Sequence, residues 1–294
     1  MGHARPGSRD PEPSIVTAPA KLTLSLRVTG VRDDGYHLLR SEMVSLDLAD
    51  VLIIDAGHRG RPRATNRLDV VPEWPGGADG WRDLDVGAAE DNLVTRALTA
   101  MDRTAQVTLV KRIPPGAGLG GGSADGAALL RWAGCTDRAV AAQLGADVPF
   151  CLGGGRAMVS GIGEVVEPLP YEARSFVLVF PPFGVDTAAV YRAWDGMSAT
   201  RRLPVAGTTT NDLEAAAVEV EPRLTGWRQA LEDASGRQAQ LAGSGSTWFV
   251  EGEAEDLGID VGAGLSHEGR HAPLVATRTT PAEEWGAAVT IDDR

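Results

Sequence analysis

Pro114-Pro115-Gly116-Ala117-Gly118-Leu119-Gly120-Gly121-Gly122-Ser123 is the stretch from which the chain is best read. Gln106 to Val110 before it reads as a strand, and Asp125 to Trp132 after it reads as an Ala-rich helix. Glycines let a backbone come close to a ligand, and the exposed N–H groups at a helix start attract anions. Strand, glycines and helix in that order read as a phosphate cradle; a flexible surface loop is the plain alternative. A Walker loop would end in Gly-Lys-Ser/Thr, whereas this one ends Gly121-Gly122-Ser123. Gly116, Gly118 and Gly121 fit a dinucleotide fingerprint literally. That motif also wants an acidic residue about 20 positions on, at the end of a second strand. Ala141, inside a helical stretch, stands there instead.

Upstream, Ile15 to Val28 alternates apolar Ala20, Leu22, Leu24 and Leu26 with polar Lys21, Thr23, Ser25 and Arg27, the period of a strand. Arg32-Asp33-Asp34-Gly35 is a turn, and Glu42 to Leu48 and Val51 to Asp55 read as two further strands. Gly57 to Gly87 reads as loop or weak hairpin. Asn92 caps a helix from Leu93 to Met101. Downstream, Arg138 to Leu144 reads as a helix closed by Gly145, Ser175 to Phe180 as a strand, and a helix starts near Thr187. Asn211-Asp212 caps Leu213 to Val220. Gln238 to Leu241 and Thr247 to Val250 flank a second small-residue loop, Ala242-Gly243-Ser244-Gly245-Ser246, and one more short strand follows Pro273. Strands and helices mix without strict βαβ alternation, so the fold class is α+β. A length of 294 residues suggests about two domains, divided near Glu167 into 15–166 and 167–294.

Hydrophobic residues make up 43% of the chain, enough for a sizeable core. The formal net charge of −12 argues against a nucleic-acid partner, which would call for a basic stripe. It also requires an enzyme with anionic substrates to gather its cations and backbone N–H groups locally. Cys135 and Cys151 lack zinc spacing and read as buried free thiols. No apolar run reaches the roughly 18 residues of a membrane span. Met1 to Ser14 is polar, without a signal-peptide core, so a cytoplasmic location is expected. Of the 28 basic residues only Lys21 and Lys111 are lysines, which makes each harder to dismiss as surface filler.

The glycine loop resembles the second motif of the GHMP kinases. Ala18-Pro19-Ala20-Lys21-Leu22-Thr23-Leu24 is similar to their first motif and Leu241 to Ser246 to their third, in the right order. Gly30 to Leu39, with Gly35-Tyr36-His37, and Gly145-Ala146-Asp147-Val148-Pro149-Phe150 resemble the branch whose substrate is a cytidine diphosphate derivative. Asn211-Asp212-Leu213-Glu214 is similar to a further segment of it. The resemblance covers roughly Ala18 to Val250. It implies an S5-like N-terminal domain packed on a ferredoxin-like C-terminal domain, with the active site between them. It further implies ATP-dependent phosphorylation of the 2-hydroxyl of a diphosphocytidyl-methylerythritol in the non-mevalonate isoprenoid pathway, with Mg²⁺ escorting the ATP. Another GHMP kinase, acting on homoserine, mevalonate or a sugar, and a non-catalytic nucleotide-binding paralogue are the alternatives. A monomer or homodimer is expected.

Carried over residue by residue, the resemblance makes Asp147 the catalytic base or orienter and Lys21 its cationic partner. Pro114, Gly116, Gly118, Leu119, Gly120, Gly121, Gly122 and Ser123 cradle the ATP phosphates, with Asn92 and Leu93 near the adenine. Tyr36 and His37 recognise cytosine, Tyr191 adds a second aromatic, and Gly243, Ser244 and Gly245 meet the substrate diphosphate, with Thr23 anchoring substrate. No side chain is assigned to a metal. Thr23 stands where the family commonly has Asn, Ala124 where it has Ser, and Gly126 where it has Ala, and the segment from Ser123 to Asp147 is short.

Overall fold

A computed structural model describes residues 13–58, 61–62, 65–75, 90–197, 210–282 and 289–290. The chain opens with two long antiparallel strands, β1 (Ser14–Val31) and β2 (His37–Asp55). Then come the two-residue pair β3 (Gly57–His58) and β4 (Arg61–Pro62), β5 (Arg67–Pro72), helix α1 (Leu93–Ala100) and β6 (Gln106–Lys111). Helices α2 (Gly121–Trp132), α3 (Arg138–Leu144) and α4 (Val148–Gly153) follow, then β7 (Arg156–Gly161) and β8 (Val165–Pro168). The remainder holds β9 (Ser175–Val179), α5 (Thr187–Gly196), α6 (Glu214–Val220), α7 (Leu224–Ser235), β10 (Gln240–Leu241) and β11 (Trp248–Glu251). A hairpin of β12 (Leu265–His267) and β13 (Arg270–Ala272), then β14 (Leu274–Arg278) and β15 (Val289–Thr290), complete the described residues.

The larger sheet runs β15-β1-β2-β6-β5, with β7 also on β2 and β8 on β7. The smaller one runs β10-β11-β9-β14. Helices and mixed sheets together make the α+β fold expected from the sequence. β2 is one strand where two were expected, and the reason lies in its neighbours. Its first half, Leu39 to Val44, pairs with β7, whereas Val51 to Asp55 pairs with β6. The stretch from Gly57 to Gly87, expected as loop or weak hairpin, opens with the short antiparallel pair β3–β4 and also contains β5, which pairs in parallel with β6 through Leu68 and Val70; both residues pack on the core. The rest of that stretch lies largely outside the described residues.

Three cores meet on β1. Val16 and Ala18 join the cluster beneath α1 and α2. Beyond a bulge between Pro19 and Lys21, Ala20, Leu22 and Leu24 enter a second cluster. Leu26 reaches a third, formed with α5, α6 and α7. The two-residue period divides β9 likewise. Phe176 and Leu178 face the large sheet, while Val177 and Val179 face the helices. Phe176, Leu178 and Phe249 thus press against Leu22, Val44 and Leu46 and hold the two sheets together. Helix α7 was not legible in the sequence. Leu224, Trp227 and Leu231 are buried at helical spacing, but Gly226 weakens the signal. A Cβ at Gly226 would overlap the His267 imidazole, which explains the glycine.

Candidate active site

The glycine loop and the second small-residue loop pack on each other by backbone. Ser246 N donates to Gly116 O at 3.0 Å and Thr247 N to Ala117 O at 3.2 Å. Gly118, at φ +77°, has no room for a Cβ, which would overlap the Ala242 carbonyl oxygen. Gly120, at φ +66°, is the residue before α2, and a Cβ there would lie 2.7 Å from Lys21 Cγ. The glycines therefore serve two close approaches, loop to loop and loop to lysine. Helix α2 begins at Gly121, four residues earlier than expected, and no side chain caps its N-terminus. Its first N–H groups are left for a ligand, and the helix dipole favours an anion there.

Lys21 and Asp147 come together from distant parts of the chain. Lys21 Nζ is 3.4 Å from Asp147 Oδ2. The lysine backbone N–H donates to Leu119 O at 3.0 Å, and its Nζ donates to Thr23 Oγ1 at 3.2 Å. Thr23, standing in place of Asn, thus supplies an acceptor that steadies the ammonium. Asp147 precedes α4 but makes no side-chain capping bond. Its carboxylate is 30% exposed and directed to the lysine rather than spent on local N–H groups. Cys151 lies behind it; burial, then the Asp147 charge, pushes its thiol up to about 12, so it is no nucleophile.

These residues line a cavity of about 480 Å³. On one wall are Pro114, Gly116, Gly118, Leu119, Gly120, Gly121, Gly122 and Ser123, with Asn92 and Leu93 beyond them. On the other are Gly243, Ser244 and Tyr191, with Lys21, Thr23 and Asp147 in between. Asn92 also caps α1, its Oδ1 accepting from Val94 N at 3.0 Å. Gly126 fits under Leu93, whose Cβ would be 3.1 Å from an added Cβ. Ala124 is buried in the core beneath the sheet, so the missing hydroxyl there leaves the cavity lining unchanged.

Three of the expected site residues stand apart from that lining. Gly245 shapes the loop through its N–H to Ala242 O at 2.9 Å. Tyr36, in the turn before β2, is 61% exposed. His37 instead turns to α5, its ring 4.6 Å from Tyr191.

Sequence reasoning overlooked a buried charge cluster on the cavity wall. Lys111 Nζ bonds Asp50 Oδ2 and lies 2.8 Å from Asp125 Oδ2. Asp50 Oδ1 also accepts from Arg112 N at 2.5 Å and Ile113 N at 2.8 Å, where β6 leaves β2. Asp125 is 2% exposed, and no donor among the described residues reaches its Oδ1. Burial, reinforced by the Asp50 charge and opposed by Lys111, raises its carboxyl to about 8. Lys111 lies 61 residues from Asp50, so its rarity as a lysine singled it out in the sequence but its partners did not show.

Asn211 ties the second small-residue loop down. Its Nδ2 donates to Leu241 O at 3.0 Å and Gly243 O at 2.6 Å, and its Oδ1 accepts from Leu213 N at 3.0 Å. Asn211→Ala removes the donor from two buried carbonyls. An expected loss of about 1–3 kcal/mol should appear as a lower midpoint in urea denaturation at unchanged slope.

An N–H-lined helix start, a lysine–carboxylate pair and a second small-residue loop around one cavity define a small-molecule kinase of the GHMP type. The model of the GHMP kinases N terminal domain matches residues 92–155. The 4-diphosphocytidyl-2-C-methyl-D-erythritol kinase of Paracoccus denitrificans is 39% identical over 246 residues, covering 79% of this chain and 84% of that protein. That of Ruegeria pomeroyi is 38% identical over 254 residues, covering 79% and 86%. A crystal structure of 4-(cytidine 5'-diphospho)-2C-methyl-D-erythritol kinase superposes with a TM-score of 0.65 at 29% identity, covering 90% of this chain and 99% of that one. The chain belongs to the 4-diphosphocytidyl-2-C-methyl-D-erythritol kinase family.

Proposed function

We propose that this chain transfers the γ-phosphoryl group of ATP to the 2-hydroxyl of 4-diphosphocytidyl-2-C-methyl-D-erythritol, in the non-mevalonate route to isoprenoid precursors. The observation that carries the reading is the Lys21–Asp147 pair, 3.4 Å apart in a cavity walled by both small-residue loops. Phosphoryl transfer needs positioning and charge stabilisation more than covalent chemistry. The loop N–H groups and the start of α2 hold the ATP phosphates. Asp147 orients the attacking hydroxyl and takes its proton as the new O–P bond forms. Lys21 offsets negative charge on the transferring group and keeps the carboxylate in place. Asn92 and Leu93 border the adenine, Gly243 and Ser244 the substrate diphosphate, and Tyr36, His37 and Tyr191 the cytosine.

Mg²⁺ bound with ATP neutralises phosphate charge. It commonly needs only one or two carboxylates besides phosphates and water. With Asp147 held by Lys21 as the base, Ser123 on the cavity lining is the side-chain oxygen that would serve it beside phosphates and water. Residues 15–166 supply the ATP side of the site and 167–294 much of the substrate side. Among the described residues no helix is long and apolar enough to cross a membrane. With a net charge of −12, the reading is a cytoplasmic monomer or homodimer working on small anionic molecules rather than nucleic acid.

ADP release from Mg-ATP tests the reading, with 4-diphosphocytidyl-2-C-methyl-D-erythritol, mevalonate and homoserine as parallel acceptors. Turnover with the cytidyl acceptor alone is expected. Preference for mevalonate or homoserine would move the chain to another GHMP activity, and ATP binding without any turnover would make it a nucleotide-binding paralogue.

A further inference from the structure

His37 is gripped on three sides by one face of α5. Tyr191 lies against its ring at 4.6 Å and 33°, and Trp194 meets it edge-on at 5.4 Å and 85°. Asp195 Oδ1 is 2.8 Å from His37 Nε2. The three contacts come from positions i, i+3 and i+4 of the helix, which share a face. They leave the His37 side chain only 10% exposed, although it starts a strand near the β1–β2 turn.

A carboxylate has no proton to give, so Nε2 is the donor in this bond. In the neutral imidazole the remaining nitrogen, Nδ1, is then an acceptor, because the bond made by one ring nitrogen sets the role of the other. Cytosine carries an amino group at C4, a donor. Uracil carries an oxygen there, which only accepts. We propose that Asp195 is a positioning residue that selects cytosine over uracil by fixing His37 with Nδ1 as acceptor. This rests on the reading that His37 meets the pyrimidine. An amino group at C4 completes the chain from base to imidazole to carboxylate. A 4-oxo group sets two acceptors against each other and leaves both unpaired, and such a mismatch is costly away from water. Tyr191 does not distinguish the two bases by itself, since a ring face accepts any base of similar shape.

The test compares 4-diphosphocytidyl-2-C-methyl-D-erythritol with its uridyl analogue in the full-length enzyme. In Asp195→Asn the amide can turn its NH₂ toward Nε2 and so favour the opposite tautomer. The ratio of kcat/KM for the cytidyl over the uridyl acceptor should fall about tenfold or more. The change should lie in the acceptor KM, with the KM for ATP unmoved. Asp195→Glu, which keeps a carboxylate, should retain most of the discrimination. His37→Phe, which keeps a ring but loses both nitrogens, separates the two levels of the argument. An unchanged cytidyl KM in His37→Phe would sink the assignment of His37 itself. A raised cytidyl KM in His37→Phe, beside an unchanged ratio in Asp195→Asn, would overturn the proposal and reduce Asp195 to a surface contact.

Discussion

Asp147→Asn should lower kcat by about 10²–10⁴ while the protein stays folded. The substitution keeps the size of the side chain and removes its ability to take a proton. Asp147 is suited to such a test because its carboxylate makes no capping bond in α4 and meets Lys21 Nζ at 3.4 Å. The fold therefore depends on it little. Loss of an interaction made mainly in the transition state lowers kcat and kcat/KM together and leaves KM nearly as it was. A thermal melt within a few degrees of the wild type would show that the loss is chemical. Turnover within about threefold of the wild type, well below the range for a general base, would remove Asp147 from the mechanism. Lys21 would then have to serve by charge alone, with water accepting the proton.

The parts of the site that were legible in the sequence are those built from backbone. Gly118 and Gly120 announce themselves because no other residue fits where they sit, against Ala242 O and the Lys21 side chain. Lys21 and Asp147 were legible through the motifs around them, although 126 positions separate them, the difference between their numbers. Of the aromatic residues expected at the base, His37 lies against α5 while Tyr36 is exposed in the turn before β2. Tyr191, the second aromatic expected there, does lie against the His37 ring. Asp195 was not legible, since its partner is 158 residues away. The single length of β2 was hidden because its two halves serve different neighbours. Asp50, at the change-over, looks like a strand-breaking residue until its carboxylate is seen holding the N–H groups of Arg112 and Ile113.

Lys111→Met should be the most destabilising single change considered for this chain. Methionine fills much the same volume, so packing is preserved and the lost charge is isolated. Lys111 Nζ is the cation shared by Asp50 and Asp125, all three buried. Removing one partner of a buried ion pair leaves charge without compensation and typically costs about 3–5 kcal/mol. The variant should unfold at a clearly lower urea midpoint, and a change below about 1 kcal/mol would mean that water already reaches the cluster. Asp125→Asn is the control. Its carboxyl is held up to about 8 chiefly by burial, so an amide of the same shape should cost much less than loss of the shared cation. The sign of the linkage follows from that raised value. A carboxyl that binds its proton more tightly when folded favours folding fully below its unfolded pKa near 4, and loses that contribution as pH rises to about 8. Wild-type stability should therefore carry a downward slope across that window from this group, and Asp125→Asn should remove it. Identical pH profiles for the two proteins would show that Asp125 ionises normally and that Lys111 balances both carboxylates at once.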